Sequence, residues 1–279
     1  MMKISVSSYS FSRYTKLSGA TNETLMELAQ ALGFDGIEFT GFSGTQKDKT
    51  DMAKRLREKS EASGFPIVAY AVSADFLNKP AEALASVKQE LDVAVALGVP
   101  VLRHDASFSL PDGVTAEKGI VKMAPYIREA AEYGASLGIR TCTENHGYVY
   151  QAPERVKALM EAVGHKNYGW LFDMGNFAVA DRTATEALPL ALPYVFHVHM
   201  KDMSIRRKDE EHEGYNSTAS GESYWAGTVL GNGNVPVAST VRALRCAGYD
   251  GFFTYEYEGS DETIAALQKG LKFARLLEE

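Results

Sequence analysis

The chain has 279 residues, of which 45% are hydrophobic and 23% charged, and its formal net charge is −7. These values are typical of a soluble globular protein, and the length suits one large domain. No apolar run approaches the about 18 residues that a membrane span needs. The 36 acidic residues outnumber the 29 basic ones, and no basic block is present, which disfavours a nucleic-acid partner. The N-terminus lacks the apolar stretch and cleavage site of a secretory signal, which predicts a cytoplasmic protein.

Short β-rich runs alternate along the chain with longer stretches of helical period, the pattern of repeated βα units around a parallel sheet. The predicted strands are Lys3–Ser7, Gly36–Thr40, Ile67–Val72, Val99–His104, Ile139–Glu144, Tyr168–Asp173, Val195–His199 and Phe252–Glu256. The predicted helices are Thr21–Leu32, Asp51–Ser63, Ala81–Leu97, Glu117–Leu137, Pro153–Val163, Val237–Ala247 and Asp261–Leu277. Glycine often stands between a helix and the next strand, as Gly98 and Gly138 do, which is its usual place beyond a helix C-terminus. The pattern predicts an α/β fold in which residues 1–279 form a single (β/α)8 TIM barrel.

The segment Ser204–Val235 breaks this rhythm because it has glycines and charged residues but no helical period. We predict a long loop over the C-terminal mouth of the barrel, without structure of its own, that serves as a lid or a subunit contact. A variable surface excursion is the alternative. Arg206 in this loop is a candidate substrate-binding residue. Tyr224 and Trp225 would suit a subunit contact in a homodimer or homotetramer.

Four polar residues, Glu144, Asp173, His199 and Glu256, each end a separate predicted strand. Parallel barrels carry their active sites at the C-terminal ends of the strands, so these side chains are expected to meet. Three carboxylates and one imidazole suit Mn²⁺, Mg²⁺, Co²⁺ or Zn²⁺ with open positions, whereas a closed structural zinc site more often uses thiolates. A set of separate salt bridges is the alternative. The two cysteines, Cys142 and Cys246, lack zinc-module spacing and are predicted to be buried free thiols.

Alternation along the seventh strand places His197, His199 and Lys201 on one side. We assign His199 to the metal, Lys201 to the substrate or a nearby carboxylate, and His197 to the core as a hydrogen-bonded residue. Glu258 shares the side of Glu256 but lies further into the loop, so Glu256 is the preferred ligand.

Further candidates for substrate binding end the second and fourth strands or stand beside the proposed ligands. Glu38, Arg103 and His104 offer hydrogen bonds to substrate hydroxyls, and the last two could also hold a carboxylate. A structural ion pair, either Arg103 with Asp105 or Glu38 with Arg103, is an equally good interpretation. The neighbours of the proposed ligands that we expect to contact substrate are His146 and Asn176.

These motifs resemble the sugar phosphate isomerase/epimerase family, the xylose isomerase-like barrels that include ketose 3-epimerases, inosose dehydratases and endonuclease IV. The resemblance covers essentially the whole chain. The segments on which it rests are Gly33–Glu38, Glu144–Gly147, Phe172–Asn176, His197–Asp202, and Ala247–Gly251 leading to Glu256. In ketose 3-epimerases the matching Glu, Asp, His and Glu hold a divalent ion, and the two glutamates act as acid and base. The resemblance implies an isomerase or epimerase of carbohydrate metabolism that uses manganese, acts on a small sugar or polyol, and has Glu144 and Glu256 as catalytic residues.

Two positions depart from the epimerase pattern. Asn176 stands where a histidine often follows the strand-six aspartate, and Lys201 with Asp202 is more similar to the dehydratase-like members. The alternative is therefore a metal-dependent dehydratase or lyase of a keto-polyol or 3-keto-glycoside. A sugar-binding barrel without catalysis is the non-enzymatic alternative. DNA repair is disfavoured because the ends of the second and third strands carry no histidine.

Overall fold

The computed structural model describes residues 2–278, and within that range eight parallel strands close into a barrel. The strands in chain order are β1 (Lys3–Ser7), β2 (Gly36–Thr40), β3 (Ile67–Val72), β4 (Val101–His104), β5 (Arg140–Glu144), β6 (Tyr168–Asp173), β7 (Val195–Met200), β8 (Asp202–Arg207), β9 (Asn216–Ser217), β10 (Ser223–Thr228) and β11 (Phe252–Tyr255). Strands β1 to β7 pair in sequence, and β11 pairs with both β7 and β1 to close the ring. The predicted TIM barrel is confirmed.

Helices cover the outside of the barrel between successive strands. They are α1 (Ser12–Ser18), α2 (Asn22–Leu32), α3 (Gln46–Ser63), α4 (Pro80–Leu97), α5 (Ala116–Ser136), α6 (Pro153–Val163), α7 (Ala184–Ala191), α8 (Val237–Cys246) and α9 (Thr263–Leu276). Thr45 and Asp48 form a capping box that starts α3 five residues earlier than the helical period predicts. Gly98 ends α4 with a φ of 79°, a left-handed conformation that favours glycine.

The barrel has two apolar layers, one between the strands and the helices and one inside the ring. Inside the ring, near the start of the strands, buried apolar side chains pack together: Val68, Ala69, Val101, Cys142 and Leu171. The polar ends of the strands therefore stand above a closed apolar floor. Cys142 is buried as predicted, but Cys246 is exposed at the end of α8, so that part of the thiol prediction is wrong.

The segment after β7 differs from the predicted structureless loop of residues 204–235. Strands β8, β10 and β9 form a separate antiparallel sheet, in which β8 pairs with β10 over six residues. Helix α7 is a further element that the sequence analysis does not predict, and it forms although Pro189 lies inside it. Within the part of the chain that the structure describes, no helix has the length and apolar character needed to cross a membrane.

Candidate metal centre

The barrel brings the four residues at the strand ends into one buried cluster. Glu144, Asp173, His199 and Glu256 each offer a ligand atom, and these four atoms lie within 4.8 Å of one another. The Nδ1 atom of His199 lies 3.7 Å from Asp173 Oδ2, 3.7 Å from Glu256 Oε2 and 4.0 Å from Glu144 Oε1. The imidazole therefore faces all three carboxylates across a space common to them.

Two atoms of this cluster have no hydrogen-bond partner among the described residues. His199 Nδ1 and Asp173 Oδ2 are both buried without a hydrogen bond, and burial of a polar atom that makes no hydrogen bond costs free energy. A divalent cation would satisfy both atoms, and three carboxylates with one imidazole are a suitable donor set for it. The residues present therefore fit a metal ion.

Glu38 orients the imidazole ring of His199 relative to the cluster. Its Oε2 atom lies 3.0 Å from Nε2 of His199 and 3.0 Å from Nε2 of His197. Because an ionised carboxylate only accepts, each ring donates from Nε2, and Nδ1 is then the nitrogen of His199 that faces the cluster. Burial would raise the pKa of Glu38, but the two histidines, His199 foremost, hold it well below its usual range.

Glu38 thus supports a proposed metal ligand. Its side chain is fully buried and its Oε2 contacts both imidazoles, and the substrate contact expected from the sequence stays a prediction. His197 lies in the same buried layer and also contacts Thr254 Oγ1 at 3.0 Å, which is the hydrogen-bonded core position expected from the sequence.

Arg103 and Asp105 hold one side of the mouth together. The Nη2 atom of Arg103 lies 2.7 Å from Asp105 Oδ1 and also contacts Glu144 Oε2. Asp105 Oδ1 in addition lies 2.9 Å from Nδ1 of the half-exposed His146. Arg103 thus forms the expected ion pair with Asp105 and touches a proposed metal ligand as well. The sequence predicts Asp105 only as an ion-pair partner, although its place directly after β4 puts it at the mouth.

Lys201 and Asn176 hold the opposite side. The Nζ atom of Lys201 lies 2.5 Å from Glu256 Oε2, 3.5 Å from Asp173 Oδ2 and 3.1 Å from Asn176 Oδ1. Asn176 donates from Nδ2 to Glu144 Oε1 at 2.8 Å, and its backbone N–H donates to Asp173 Oδ1 at 2.7 Å. Asn176 therefore links two carboxylates of the cluster to the ammonium group.

The two glutamates of the cluster have opposite pKa shifts. Burial raises the pKa of Glu144 despite the adjacent Arg103, and the charge of Glu256 adds to the rise. Burial would also raise the pKa of Glu256, but Lys201 and His199 hold it well below its usual range. Glu144 is therefore the carboxyl of the two that more readily takes up a proton.

Two of the predicted substrate-binding residues lie away from the cluster. His104 is fully buried beside the rings of Phe76 and Tyr168, in the layer between strands and helices. Neighbouring residues of a strand point to opposite faces, so the inward direction of Arg103 turns His104 outward. This corrects its expected substrate contact. Arg206 is exposed on β8, with its guanidinium 6.0 Å from the centre of the Tyr215 ring.

A family model described as xylose isomerase-like TIM barrel matches residues 26–277. A curated relative, the inosose dehydratase of Geobacillus thermodenitrificans, is 24% identical over 281 residues, which cover 94% of each chain.

Solved structures with the same fold include the IOLI protein with a bound zinc atom, at a TM-score of 0.78 and 16% identity over 99% of this chain and 98% of that one. The probable 3-DHS dehydratase of Bacillus anthracis has a TM-score of 0.77 and 16% identity over 98% of this chain and 99% of that one. Epimerases also share the fold. The matched model spans most of the sequence, and this chain therefore belongs to the xylose isomerase-like TIM barrel family.

Proposed function

We propose that the protein is a metal-dependent dehydratase that removes water from a keto-polyol of the inosose type. The proposal rests on the position of Lys201, whose ammonium group is buried and contacts Glu256 at the cluster. Elimination has to stabilise a departing hydroxyl, and a cation at the reacting centre can do so. Simple epimerisation requires only that a proton be removed and returned. The inosose dehydratase names of relatives that cover nearly the whole chain support the same choice.

The metal would be held by Glu144, Asp173, His199 and Glu256. When bound there, a divalent cation would polarise the substrate carbonyl as a Lewis acid and so acidify the adjacent C–H bond. Mn²⁺ is our first choice, with Mg²⁺, Co²⁺ and Zn²⁺ as alternatives, because the donor set is mostly oxygen.

The chain's own residues would move the protons. Glu144, whose pKa is raised, takes the proton from the carbon next to the carbonyl. A carbon–carbon double bond forms as the hydroxyl on the following carbon leaves, and Lys201 donates a hydrogen bond to the departing oxygen. The proton held by Glu144 then completes the water molecule, so the products are an unsaturated ketone and water. Glu256, paired with Lys201, remains an anionic ligand.

The test is proton NMR of an inosose with Mn²⁺-loaded protein in D₂O, together with the ultraviolet absorbance of a conjugated ketone. We expect loss of one water molecule from the substrate and the absorbance of the unsaturated product. Exchange of the C–H for deuterium without loss of water would instead support an epimerase. If metal binds stoichiometrically but no exchange or conversion occurs, the enzymatic proposal fails.

A variant of Lys201 separates the two reactions. We expect Lys201→Gln to lower dehydration by roughly 100-fold, whereas C–H exchange falls much less, because the lysine acts on the leaving oxygen. Lys208→Gln is the matched control, since Lys208 is an exposed lysine beyond β8. Equal losses of exchange and dehydration in Lys201→Gln would contradict the assigned role.

A further inference from the structure

Two cations beside the proposed metal ligands, Lys201 and Arg103, are both already paired with carboxylates of the chain. Besides its contacts to Glu256 and Asp173, the Nζ atom of Lys201 lies 3.6 Å from Glu258 Oε2. The side chain of Lys201 is only 4% exposed, and that of Glu258 is 20% exposed. A substrate anion that sought this ammonium group would be repelled by three carboxylates that are held in place by the fold. Only Glu256 among them lies within 3 Å of Nζ, so an N–H group remains for an uncharged hydroxyl.

Arg103 is likewise paired with carboxylates, on the other side of the mouth. Its Nη2 contacts Asp105 and Glu144, and its Nη1 lies 3.3 Å from Asp105 Oδ2 and 3.4 Å from the carbonyl oxygen of Val72. A planar guanidinium binds a carboxylate best with two parallel N–H groups, and Asp105 already uses both terminal nitrogens. Release of Asp105 or Glu144 would leave a buried carboxylate without its partner, which is costly.

The charge of the mouth leads to the same conclusion. Five carboxylates, those of Asp105, Glu144, Asp173, Glu256 and Glu258, surround two permanent cations. For these seven groups, with every carboxylate ionised, the formal excess is three negative charges, and a divalent ion would reduce it to one. At the short distances of this cluster, a further negative charge would be repelled strongly because the carboxylates are poorly solvated.

We infer that the mouth binds an uncharged ring ketone and discriminates against rings that carry a carboxylate or a phosphate. The inference rests on the proposed function for the ketone, but the discrimination itself follows from the paired cations and the carboxylate excess. It narrows the substrate class to neutral polyhydroxylated ketones.

The experiment is isothermal titration calorimetry of Mn²⁺-loaded protein with two probes of similar ring size. Scyllo-inosose is uncharged, and 3-dehydroshikimate carries one carboxylate. We expect the neutral ketone to bind at least about tenfold more tightly, equivalent to about 1.4 kcal/mol. Equal or tighter binding of 3-dehydroshikimate would overturn the inference.

Glu258→Gln tests the electrostatic cause. This variant removes one carboxylate from around Lys201 without touching a proposed metal ligand, so the difference in affinity between the two probes should shrink severalfold. Glu222→Gln is the matched control, because Glu222 is exposed beside β10. Thermal unfolding of both variants verifies that they are folded. If Glu258→Gln and the control show the same ratio of affinities for the two probes, carboxylate repulsion is not the cause of the discrimination.

The same titrations distinguish this inference from the proposed function. Preferential binding of scyllo-inosose without its dehydration would leave the inference standing and would refute the dehydratase. Dehydration of 3-dehydroshikimate, bound at least as tightly as scyllo-inosose, would refute the inference and keep the dehydratase.

Discussion

The carboxylate of Glu38 lies 3.0 Å from Nε2 of His199, on the side of the ring opposite the three carboxylates of the candidate metal centre. This bond orients the ring and selects the nitrogen that faces the three carboxylates. Such a bond from a metal-binding histidine to a carboxylate raises the basicity of the ligand nitrogen.

Replacement of Glu38 should therefore weaken metal binding without removing a ligand. We expect Glu38→Gln to lower the Mn²⁺ affinity by about 10- to 100-fold, measured by competition with a metal-binding dye. Glu90→Gln is the control, because Glu90 is a buried glutamate that contacts Tyr70 and Lys49 on the helical side of the barrel. An affinity equal to that of the control would contradict the role assigned to Glu38.

Asp105 should affect turnover through the groups that it positions. Because its Oδ1 accepts from both Arg103 and His146, Asp105→Asn should lower kcat by about 10- to 100-fold, the usual cost of a misplaced reacting group. The change in metal affinity and in KM should be small. Steady-state kinetics measures kcat and KM, and dye competition measures the metal affinity.

The control for this variant is Asp75→Asn. Asp75 accepts from Ser107, close to Asp105 in the chain, but it is not a partner of Arg103 or His146. Coupling provides a second check, since Asp105→Asn combined with His146→Asn should lose little more than the worse single variant. Additive losses would mean that Asp105 and His146 act independently.

Asp202 organises the turn between β10 and α8. Its Oδ2 accepts from the N–H groups of Gly231 and Gly233, each at 2.9 Å, and its Oδ1 accepts from Val235 at 3.1 Å. Asp202→Asn replaces one acceptor with a donor and should lower the free energy of unfolding by about 1–3 kcal/mol, measured by urea denaturation. The exposed Asp209→Asn should change it by less than about 0.5 kcal/mol, and equal stability of the two variants would refute the prediction.

His104 should make the protein less stable in mild acid. Burial lowers its pKa to about 4, whereas the unfolded chain has a histidine pKa of about 6.5. Between these values the unfolded state binds the proton more strongly, so stability is complete above pH about 6.5 and falls until pH about 4. The expected loss is about 3 kcal/mol.

Urea denaturation of the metal-free protein across that range, for the native chain and for His104→Gln, measures the contribution of this histidine. The variant should show a shallower fall with pH, because glutamine does not titrate. Parallel pH profiles would show that His104 is not the group responsible.

Much of the barrel could be predicted because its pattern is local. Alternating apolar strands and helical periods identify βα units, and closure of a parallel barrel forces the strand ends to meet. That is why Glu144, Asp173, His199 and Glu256 could be grouped although they are far apart in the chain. The sheet of β8, β9 and β10 was missed because its pairing joins residues across a gap, with Asp202 opposite Thr228.

The sequence by itself determined the fold family and the set of residues at the strand ends, since period and chain order are enough for both. Only the tertiary structure decided how deeply each side chain lies in the barrel and which side chains it contacts. Glu38 lies below the mouth, next to a register shift between β2 and β3 that the residue pattern does not reveal. Arg103 and Lys201 are paired with carboxylates from other strands, and such pairs depend on the relative height of side chains across the barrel. Those partners decide which charges remain available to a substrate.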